Sequence, residues 1–478
     1  MKKTASNRTV GYLPNETPSP LRLFLYAVQQ VIVMFPATIT VALITGFQVS
    51  TTIFASGLAT LCFILITGKK IPLYYGSSFA YLTAIFSMVY AQGTPEQIEI
   101  FETTKILPAE LISEAQFGII MSGFVSIAAG LVVRFAGTKA VEKLLPASIT
   151  GSVAMIIGLT LAGNALGDAI PAVSEGEAAH TADQNWWIAV ALVTLLSTVI
   201  YARYLKGLLG QLPLLLGALT GCAFAGILYF AADVNLFRQV PEAALEASVW
   251  KLGDGSVFAL PAFTLPKFSL AALVAIMPIA IATIPESTAH IYQLDIYVND
   301  VAKKKGEKKF DVVSLLHKNL IGDGICDMIS GFVGGPAGTN YGENISTMAI
   351  TKVFSVPVLI VAAILAMIVS CFTPLIKVIY GIPLAVIGGL EIYLFGAIAA
   401  QGIAIMIDKK VDMFDSKNIA VIASIMVIGI GGNYAFGGNI PLFGVNIPCI
   451  AGAAIFGIFL NAILSIGSKK KTAETEEK

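Results

Sequence analysis

Long apolar segments recur along the whole chain, and they constrain its fold more than any other feature. A helix needs about twenty consecutive apolar residues to cross the hydrocarbon core of a bilayer, and about fourteen such segments occur here. Of the 478 residues, 56% are hydrophobic and 13% are charged. A soluble domain averages about 25% charged residues. The sequence therefore predicts an all-α integral membrane protein with about 14 transmembrane segments.

The predicted spans share this length and apolar character. They lie near residues 23–44, 50–67, 71–91, 117–135, 145–162, 186–203, 209–231, 269–292, 312–334, 341–350, 353–373, 379–405, 417–434 and 446–466. The third and tenth begin with Gly and polar residues, in IPLYYGSSFAYL and NYGEN. Irregular backbone at membrane depth must be buried in protein or line water, so we expect broken segments at these two spans.

The distribution of Lys and Arg indicates how the chain crosses the membrane. With fourteen spans, one side holds both termini and every Lys and Arg except Lys105, Arg238, Lys251, Lys267 and Lys377. Basic residues concentrate on the cytoplasmic side of membrane proteins. We therefore expect a multi-pass protein of the inner (cytoplasmic) membrane with cytoplasmic N- and C-termini. The start of the chain is polar and leads directly into a span, so no cleavable signal peptide is expected.

The two halves of the chain have the same layout. Residues 23–231 and 269–466 each contain seven predicted spans, and each half has its irregular segment third. Because seven is odd, the second half enters the membrane from the opposite side, which is typical of an inverted repeat. Transporters of this kind bind their substrate near the midplane, where the broken segments meet.

The densest polar cluster inside a predicted span is PESTAH, which contains Glu286 and His290. Their i, i+4 spacing places them on one helix face, within reach of each other or of a shared proton path. A charged side chain near the bilayer centre costs at least about 2.5 to 3.5 kcal/mol, so such residues usually face a cavity and have a function there. The alternative is a pair that only satisfies itself inside the bundle.

The second carboxylate in the membrane is Glu343, which follows Tyr341 and Gly342. A helix that begins here would direct its N-terminal N–H groups at a polar ligand. Alternatively, Glu343 only caps that helix. In the third span, Ser78 and Phe79 offer backbone groups, a hydroxyl and an aromatic ring, although a Phe alone more often serves packing.

Other polar residues inside predicted spans have weaker functional signals. Asp323 and Asp327 form an i, i+4 pair near the cytoplasmic end of span nine, where both a structural and a solvated role stay open. Glu391 lies in an apolar span without an obvious partner. Gln29 and Gln30 are neutral, and helix–helix hydrogen bonding is their default interpretation.

Enzyme signatures are missing from the sequence. There is no Walker loop, no metal-ligand spacing of His and Cys and no nucleophile elbow. We therefore expect a protein that is not an enzyme, holds no cofactor or metal, does not bind nucleic acid, and is driven by an ion gradient if it is driven at all. The five cysteines lie in or beside apolar runs and are interpreted as buried hydrophobic residues.

Several motifs together resemble the nucleobase–ascorbate transporter family, and within it most closely the bacterial uracil permeases. They are QQVIVMFPAT, GKKIPLYYGSSFAYL, LPASITGSVAMIIGLTLA, NYGENISTMAITKVFS and IPLAVIGGLEIYLFGAI, in this order. The resemblance covers about residues 20–466. It implies a proton-coupled uracil symporter, commonly dimeric, in which a core domain slides against a gate domain.

The resemblance also implies domain boundaries and site residues. The core would comprise residues 1–135 and 265–375, and the gate residues 136–235 and 376–468. The substrate-binding residues would be Glu286, Glu343, Phe79, Gly342 and Ser78, whereas His290 and Glu286 would couple the proton.

The chain departs from the family pattern at three positions. The family has Gln-His in span one, whereas here Gln30 follows Gln29 and an imidazole is lost. After Glu343, Ser346 replaces a Gly and Lys352 replaces an Arg. Glu rather than Gln at position 343 resembles the uracil branch more than the xanthine and urate branch.

Three other functions stay open at this point. A purine permease of the same family would transport xanthine or urate. A sulfate-type anion transporter shares the architecture, but paired carboxylates would repel an anion. A membrane enzyme could use a carboxylate pair and a histidine for acid–base chemistry.

Overall fold

The structure is a computed structural model that describes residues 11–137, 143, 145–173, 179–239, 257–442 and 445–466. The extreme ends, residues 1–10 and 467–478, lie outside the described residues, and so does Lys251. The expectation that both termini are cytoplasmic falls on these ends.

The described part of the first half of the chain contains nine helices and one short strand. They are α1 (Pro20–Thr45), α2 (Val49–Ile66), β1 (Tyr75–Ser77), α3 (Leu82–Gln92), α4 (Pro95–Thr104), α5 (Ala109–Ala136), α6 (Ala147–Thr160), α7 (Ala162–Ala169), α8 (Ala182–Tyr204) and α9 (Pro213–Ala232). A 3-10 turn, Phe79–Tyr81, leads from β1 into α3, and another, Leu209–Gln211, precedes α9.

In the second half, the residues that the structure describes form ten helices and three short strands. They are α10 (Leu270–Ile276), α11 (Ala280–Lys305), α12 (Leu316–Val333), β2 (Gly338–Asn340), α13 (Gly342–Thr351), α14 (Val356–Ser370), α15 (Thr373–Tyr380), α16 (Leu384–Asp408), α17 (Ser416–Met426), α18 (Gly432–Phe436), β3 (Asn439–Leu442), β4 (Val445–Pro448) and α19 (Cys449–Leu464). A third 3-10 turn, Met277–Ile279, joins α10 to α11, and a fourth, Val313–Leu315, precedes α12. A π-helical turn, Val427–Gly431, joins α17 to α18.

Nine helical segments of the described chain are long and apolar enough to cross a membrane. They are Pro20–Thr45, Val49–Ile66, Ala109–Ala136, Ala147–Ala169, Ala182–Tyr204, Pro213–Ala232, Leu270–Lys305, Leu384–Asp408 and Ser416–Phe436. Shorter apolar helices follow at Phe79–Gln92, Val356–Ser370 and Cys449–Leu464. The chain is therefore a mostly helical, multi-pass membrane protein, and the count of fourteen stays a prediction.

The two irregular segments contain short strands that pair with each other. β1 and β2 are antiparallel, with Tyr75 opposite Asn340 and Ser77 opposite Gly338. Glycine is required at this crossing, because a Cβ on Gly338 would lie 2.4 Å from the carbonyl oxygen of Gly76. β2 leads into α13, and β1 leads into the 3-10 turn before α3. Both helical segments therefore begin at the same small sheet.

Glycine also allows helices to pack closely against each other. A Cβ on Gly123 of α5 would lie 2.3 Å from the carbonyl oxygen of Gly324 on α12. On α6, a Cβ on Gly158 would lie 2.4 Å from the carbonyl oxygen of Phe395 on α16. Small residues are typical of helix interfaces in membranes, where close backbone approach supplies the packing energy.

Several short elements are not predicted by the sequence. α4 and α15 are short amphipathic helices between longer ones, and β3 pairs with β4 in a hairpin. The eighth predicted span is also longer than expected, since α10 and α11 continue to Lys305. That helix ends where Gly306 adopts a left-handed conformation with φ of 75°, after three lysines in its last turn.

Candidate functional site

The site lies in a cavity of about 310 Å³ beside the paired strands. One wall comes from α1, from the strand–helix junctions after β1 and β2, and from the middle of α11; the opposite wall comes from α6, α16 and the segment before α9. The predicted binding residues Ser78, Phe79, Glu286, Gly342 and Glu343 all line this cavity. Its volume suits a small ligand.

The two carboxylates are the only charged side chains among the described residues that line this cavity. Glu286 follows the helix-internal Pro285 on α11 and is half-buried. Glu343 lies in the first turn of α13, where the N-terminal partial charge of the helix favours an anion, and its side chain is exposed within the cavity. With no basic group in the lining, the two carboxylates repel each other when both are charged.

The strand–helix junctions supply hydrogen-bonding groups of the backbone. The first N–H groups of a helix have no partner within it, so the start of α13 at Gly342 presents free donors to the cavity. On the other junction, the Ser78 hydroxyl accepts a hydrogen bond from the Ala80 N–H at 3.3 Å, and the Ser78 N–H donates to Ala337 at 2.9 Å. Phe79 follows with its ring at the cavity wall.

His290 does not line the cavity but lies directly behind its wall. A Cβ on Gly342 would be 3.1 Å from Nε2 of His290, so the imidazole packs against the start of α13. The ring is buried, and its Nδ1 has no hydrogen-bond partner among the described residues. Among the same residues no hydrogen bond joins His290 to Glu286. Glu286 and His290 thus lie on one helix, α11, as their i, i+4 spacing predicts. Their side chains, however, contact different neighbours.

A buried polar network lies on the other side of the strands, and its centre is Asn340 of β2. The Asn340 amide donates to Asn319 at 3.1 Å and to Asp323 at 2.8 Å. Ser287, one residue after Glu286, accepts from Asn319 at 2.6 Å and donates to Asp323. This network connects the helix that carries Glu286 with the strand that leads to Glu343.

Asp327 holds both strands against α12. A single carboxylate oxygen accepts a hydrogen bond from the phenol of Tyr75 on β1 and another, at 2.9 Å, from the N–H of Gly338 on β2. Both Asp323 and Asp327 are buried, and the latter is only 1% exposed. The structure therefore favours a structural role for Asp323 and Asp327 over a solvated one. The pair lies against the strands rather than near the end of α12.

Gln30, which replaces the family's histidine, contacts the helix that carries Glu343. Its side-chain oxygen accepts a hydrogen bond from the Asn344 amide at 2.7 Å, and its carbonyl accepts another at 3.0 Å. The predicted role in helix–helix hydrogen bonding is confirmed for Gln30. Gln30 thus joins α1 to the first turn of α13.

Glu391 on α16 lies away from the cavity, buried to 1% exposure. The charges of Asp168 and Lys105 act on its carboxyl group. Those two residues form an ion pair at 3.1 Å. The sequence does not reveal these neighbours, because they come from α7 and from the loop after α4.

Comparison with known proteins places the chain in a family. The sequence model of the Permease family matches residues 21–438. A uracil permease of Bacillus subtilis is 32% identical over 99% of this chain and 99% of its own length. A uracil permease of Bacillus caldolyticus is 34% identical, covering 92% and 91%, and one of Escherichia coli is 31% identical, covering 95% and 94%.

Solved structures share the fold at much lower sequence identity. The transmembrane domain of the cyanobacterial bicarbonate transporter BicA superposes with a TM-score of 0.56 at 16% identity, covering 94% of this chain and 98% of that one. The murine anion transporter Slc26a9 gives 0.64 at 12% identity, covering 98% of this chain and 73% of that one. A further SLC26A9 structure gives 0.61 at 11% identity, covering 93% of this chain and 66% of that one, so the chain spans about two thirds of its length.

The fold, the cavity beside the paired strands and these matches define a class of membrane permeases. The chain belongs to the nucleobase–ascorbate transporter family, whose sequence model spans nearly all of its apolar helices. It is therefore a transporter of the permease type.

Proposed function

We propose that this protein imports uracil together with a proton across the cytoplasmic membrane. The observation that supports this most is the meeting of Glu286 and Glu343 in one cavity that contains no other charge among its described lining residues. The relatives named above as uracil permeases match the chain over more than nine tenths of its length.

The cavity offers the groups that a uracil ring needs. The ring presents N–H donors beside carbonyl acceptors along its edge, and it has a flat π-face. An ionised carboxylate accepts from a ring N–H, whereas the free N–H groups at the start of α13 donate to a carbonyl oxygen. The rings of Phe79 and Tyr393, at the cavity wall, supply aromatic surface for the flat face.

The same pair of carboxylates accounts for proton coupling. Two negative charges in an enclosed site repel each other, so the site favours one proton shared with or bound to the pair. A protonated carboxyl can also donate to a uracil carbonyl, which an ionised one cannot do. Binding of neutral uracil and binding of one proton therefore support each other.

His290 is proposed to link this protonation to movement. It packs on Gly342, which begins the helix that carries Glu343, and it lies one turn after Glu286 on α11. An imidazole can bind and release a proton, which a hydrocarbon side chain at this position could not do. A change of charge behind Gly342 would alter the position of α13 relative to the cavity.

The architecture proposed for this activity is a fourteen-span, seven-plus-seven inverted repeat with cytoplasmic termini. The core comprises residues 1–135 and 265–375 and the gate 136–235 and 376–468, as the family resemblance implies. The two walls of the cavity support this division, since Glu286 and Glu343 fall in the core and α6 and α16 in the gate. Transport would follow from sliding of the core against the gate, in a protein assembled as a homodimer.

The test is competition for uptake in proteoliposomes. Labelled uracil is supplied at a limiting concentration, and unlabelled uracil, thymine, cytosine, xanthine, urate and sulfate are added separately. We expect uracil to compete at the lowest concentration and sulfate not to compete. Stronger competition by xanthine than by uracil would make the protein a purine permease, and competition by sulfate alone would contradict nucleobase transport.

A further inference from the structure

A second cavity, of about 230 Å³, lies in series with the first along the same three elements. On α6 the first cavity reaches Ile157, and the second begins at Thr160. On the segment after β1 the first reaches Ala80, and the second begins at Thr83.

On the third element, α10–α11, the residues that line the second cavity come before those that line the first along the chain. The second cavity touches Ile279, and the first begins at Ala282. The separation is about one helical turn on all three elements, which corresponds to about 5 Å. A barrier this thin separates the two cavities along these three elements.

The lining of the second cavity is polar but uncharged. Hydroxyl and amide groups come from Thr83, Ser87, Asn164 and Asn433, and aromatic rings come from Phe86 and Tyr90. None of its described lining residues is charged. Amides and hydroxyls both donate and accept hydrogen bonds, and aromatic rings stack on flat heterocycles, so this lining fits a neutral nucleobase. Without a carboxylate it would bind the base more weakly than the first cavity and would bind no proton.

The β3–β4 hairpin closes one edge of the second cavity. The Ser87 hydroxyl on α3 donates to the side-chain oxygen of Asn439 on β3 at 2.6 Å. Asn433, just before the hairpin, donates to the carbonyl oxygen of Thr160 at 3.2 Å. The Ser87–Asn439 contact joins α3, in the proposed core, to the hairpin, in the proposed gate, so a relative movement of the two must break it. The Asn433–Thr160 contact lies within the proposed gate and ties the hairpin region to α6.

We propose that the second cavity is a transit site for the nucleobase, occupied before the base reaches the two carboxylates. This inference rests on the proposed function. In the proposed orientation α6 runs from the cytoplasm outward, so the second cavity lies on the outer side. The base first binds there as a neutral molecule and moves past Ile157 and Ile279 to the carboxylates when the walls shift.

Cys449 allows this proposal to be tested, because it lines the second cavity. A variant that keeps only this cysteine is made by replacing Cys62, Cys222, Cys326 and Cys371 with Ala, and the control variant keeps only Cys222. Cys222 is half-buried on α9 and is not among the described lining residues of either cavity. Each is reconstituted and treated from outside with 2-aminoethyl methanethiosulfonate. The thiolate forms a mixed disulfide and releases methanesulfinate, and dithiothreitol reverses the reaction.

Three measurements are made on each variant: uracil uptake, uracil binding by calorimetry and the rate of thiol modification with and without uracil. For Cys449 we expect modification to reduce uptake at least ten-fold, dithiothreitol to restore it, and saturating uracil to change the modification rate at least three-fold. Uracil binding should change less than two-fold. Modification at Cys222 should leave uptake unchanged.

The outcomes distinguish failure of the transit site from failure of the proposed function. Complete modification of Cys449 with unchanged uptake would overturn the transit site while the proposed function stands. Failure of Cys449 to react during many rounds of uptake would also overturn it. If the unmodified variants and the unaltered protein bind no uracil, the proposed function fails and this inference fails with it.

Discussion

At the scale of single residues, the proposed transport of uracil with a proton depends on two carboxylates. They share a cavity that has no basic residue in its described lining. Glu286 and Glu343 come from different halves of the chain, and the described lining residues include no Lys, Arg or His. Such an arrangement disfavours anions and favours a neutral ligand with N–H donors. It also makes the two carboxylates distinguishable by mutation, because only Glu343 lies at a helix N-terminus.

Replacement Glu343→Gln is expected to weaken uracil binding. The amide presents a donor where an ionised oxygen accepted from a ring N–H, and a buried mismatch of this kind costs about 1 to 3 kcal/mol. The dissociation constant measured by calorimetry should rise about five- to one-hundred-fold. Glu110→Gln, at an exposed position paired with Lys267, is the control and should leave binding unchanged. Normal binding by Glu343→Gln would mean that Glu343 only caps α13.

His290→Leu and Glu286→Ala are expected to have different effects. Because His290 lies behind Gly342 and not at the cavity surface, His290→Leu should retain uracil binding and counterflow exchange but lose accumulation driven by a pH gradient. Glu286→Ala should lose binding itself. Equal loss of binding in both variants would show that the pair acts as one binding unit. Undiminished pH-driven accumulation by His290→Leu would remove the histidine from coupling.

The sequence singles out two carboxylates that the structure brings into one cavity, and their binding role stays a prediction. Glu286 and Glu343 stand out because charge is costly in an apolar span, and both line the cavity. The position of His290 could not be predicted, because helical spacing gives the face of α11 but not which neighbour packs there. The network around Asn340 also depends on residues brought together from α11, α12 and β2, far apart in the chain.

At the scale of elements, the site depends on the pairing of β1 with β2 and on their attachment to neighbouring helices. Thr60 on α2 accepts from the N–H of Tyr75 at 3.0 Å and donates to its carbonyl oxygen at 3.1 Å. From the other side, Asp327 on α12 accepts from both strands. Strands this short depend on such contacts, since an isolated pair of strands is marginally stable.

Asp327→Leu is expected to destabilise the strand pair, whereas Asp327→Asn should be tolerated. Both hydrogen bonds go to one carboxylate oxygen, which an amide oxygen can replace, but leucine leaves the Tyr75 phenol and the Gly338 N–H without an acceptor. Each unsatisfied buried donor costs about 1 to 3 kcal/mol. Thermal unfolding in detergent should therefore shift downward for Asp327→Leu, with weaker uracil binding, and stay near the unaltered value for Asp327→Asn. A folded Asp327→Asn protein without transport would show that the negative charge itself is needed.

The sequence predicts the long elements better than the short ones. Apolar length identifies the long helices, and Gly-rich polar stretches identify the two irregular segments that contain β1 and β2. α4, α15 and the β3–β4 hairpin were not predicted, because short amphipathic elements form only where a neighbouring helix covers their apolar side. The hairpin matters for the site, since Asn439 contacts Ser87 at the edge of the second cavity.

At the scale of the whole molecule, two cavities lie in series along α6, the segment after β1 and α10–α11. α6 and α16 form one wall of the first cavity, and the strand–helix junctions with α11 form the other. A thin barrier between cavities suits a protein whose walls shift relative to each other, because a small displacement can open one side and close the other. The ion pair between Lys105 and Asp168 joins the loop after α4 to α7 and would have to adapt to such a shift.

The most direct test of proton-coupled uracil transport is the accumulation of labelled uracil in proteoliposomes with an imposed pH gradient, acidic outside. One pH unit corresponds to about 1.4 kcal/mol and can drive about a ten-fold accumulation if one proton accompanies each uracil. We predict uphill accumulation approaching that ratio, which a protonophore abolishes and a sodium gradient does not restore. Equal uracil concentrations on both sides at every imposed pH gradient, or accumulation that follows sodium and ignores the protonophore, would contradict proton-coupled uracil transport.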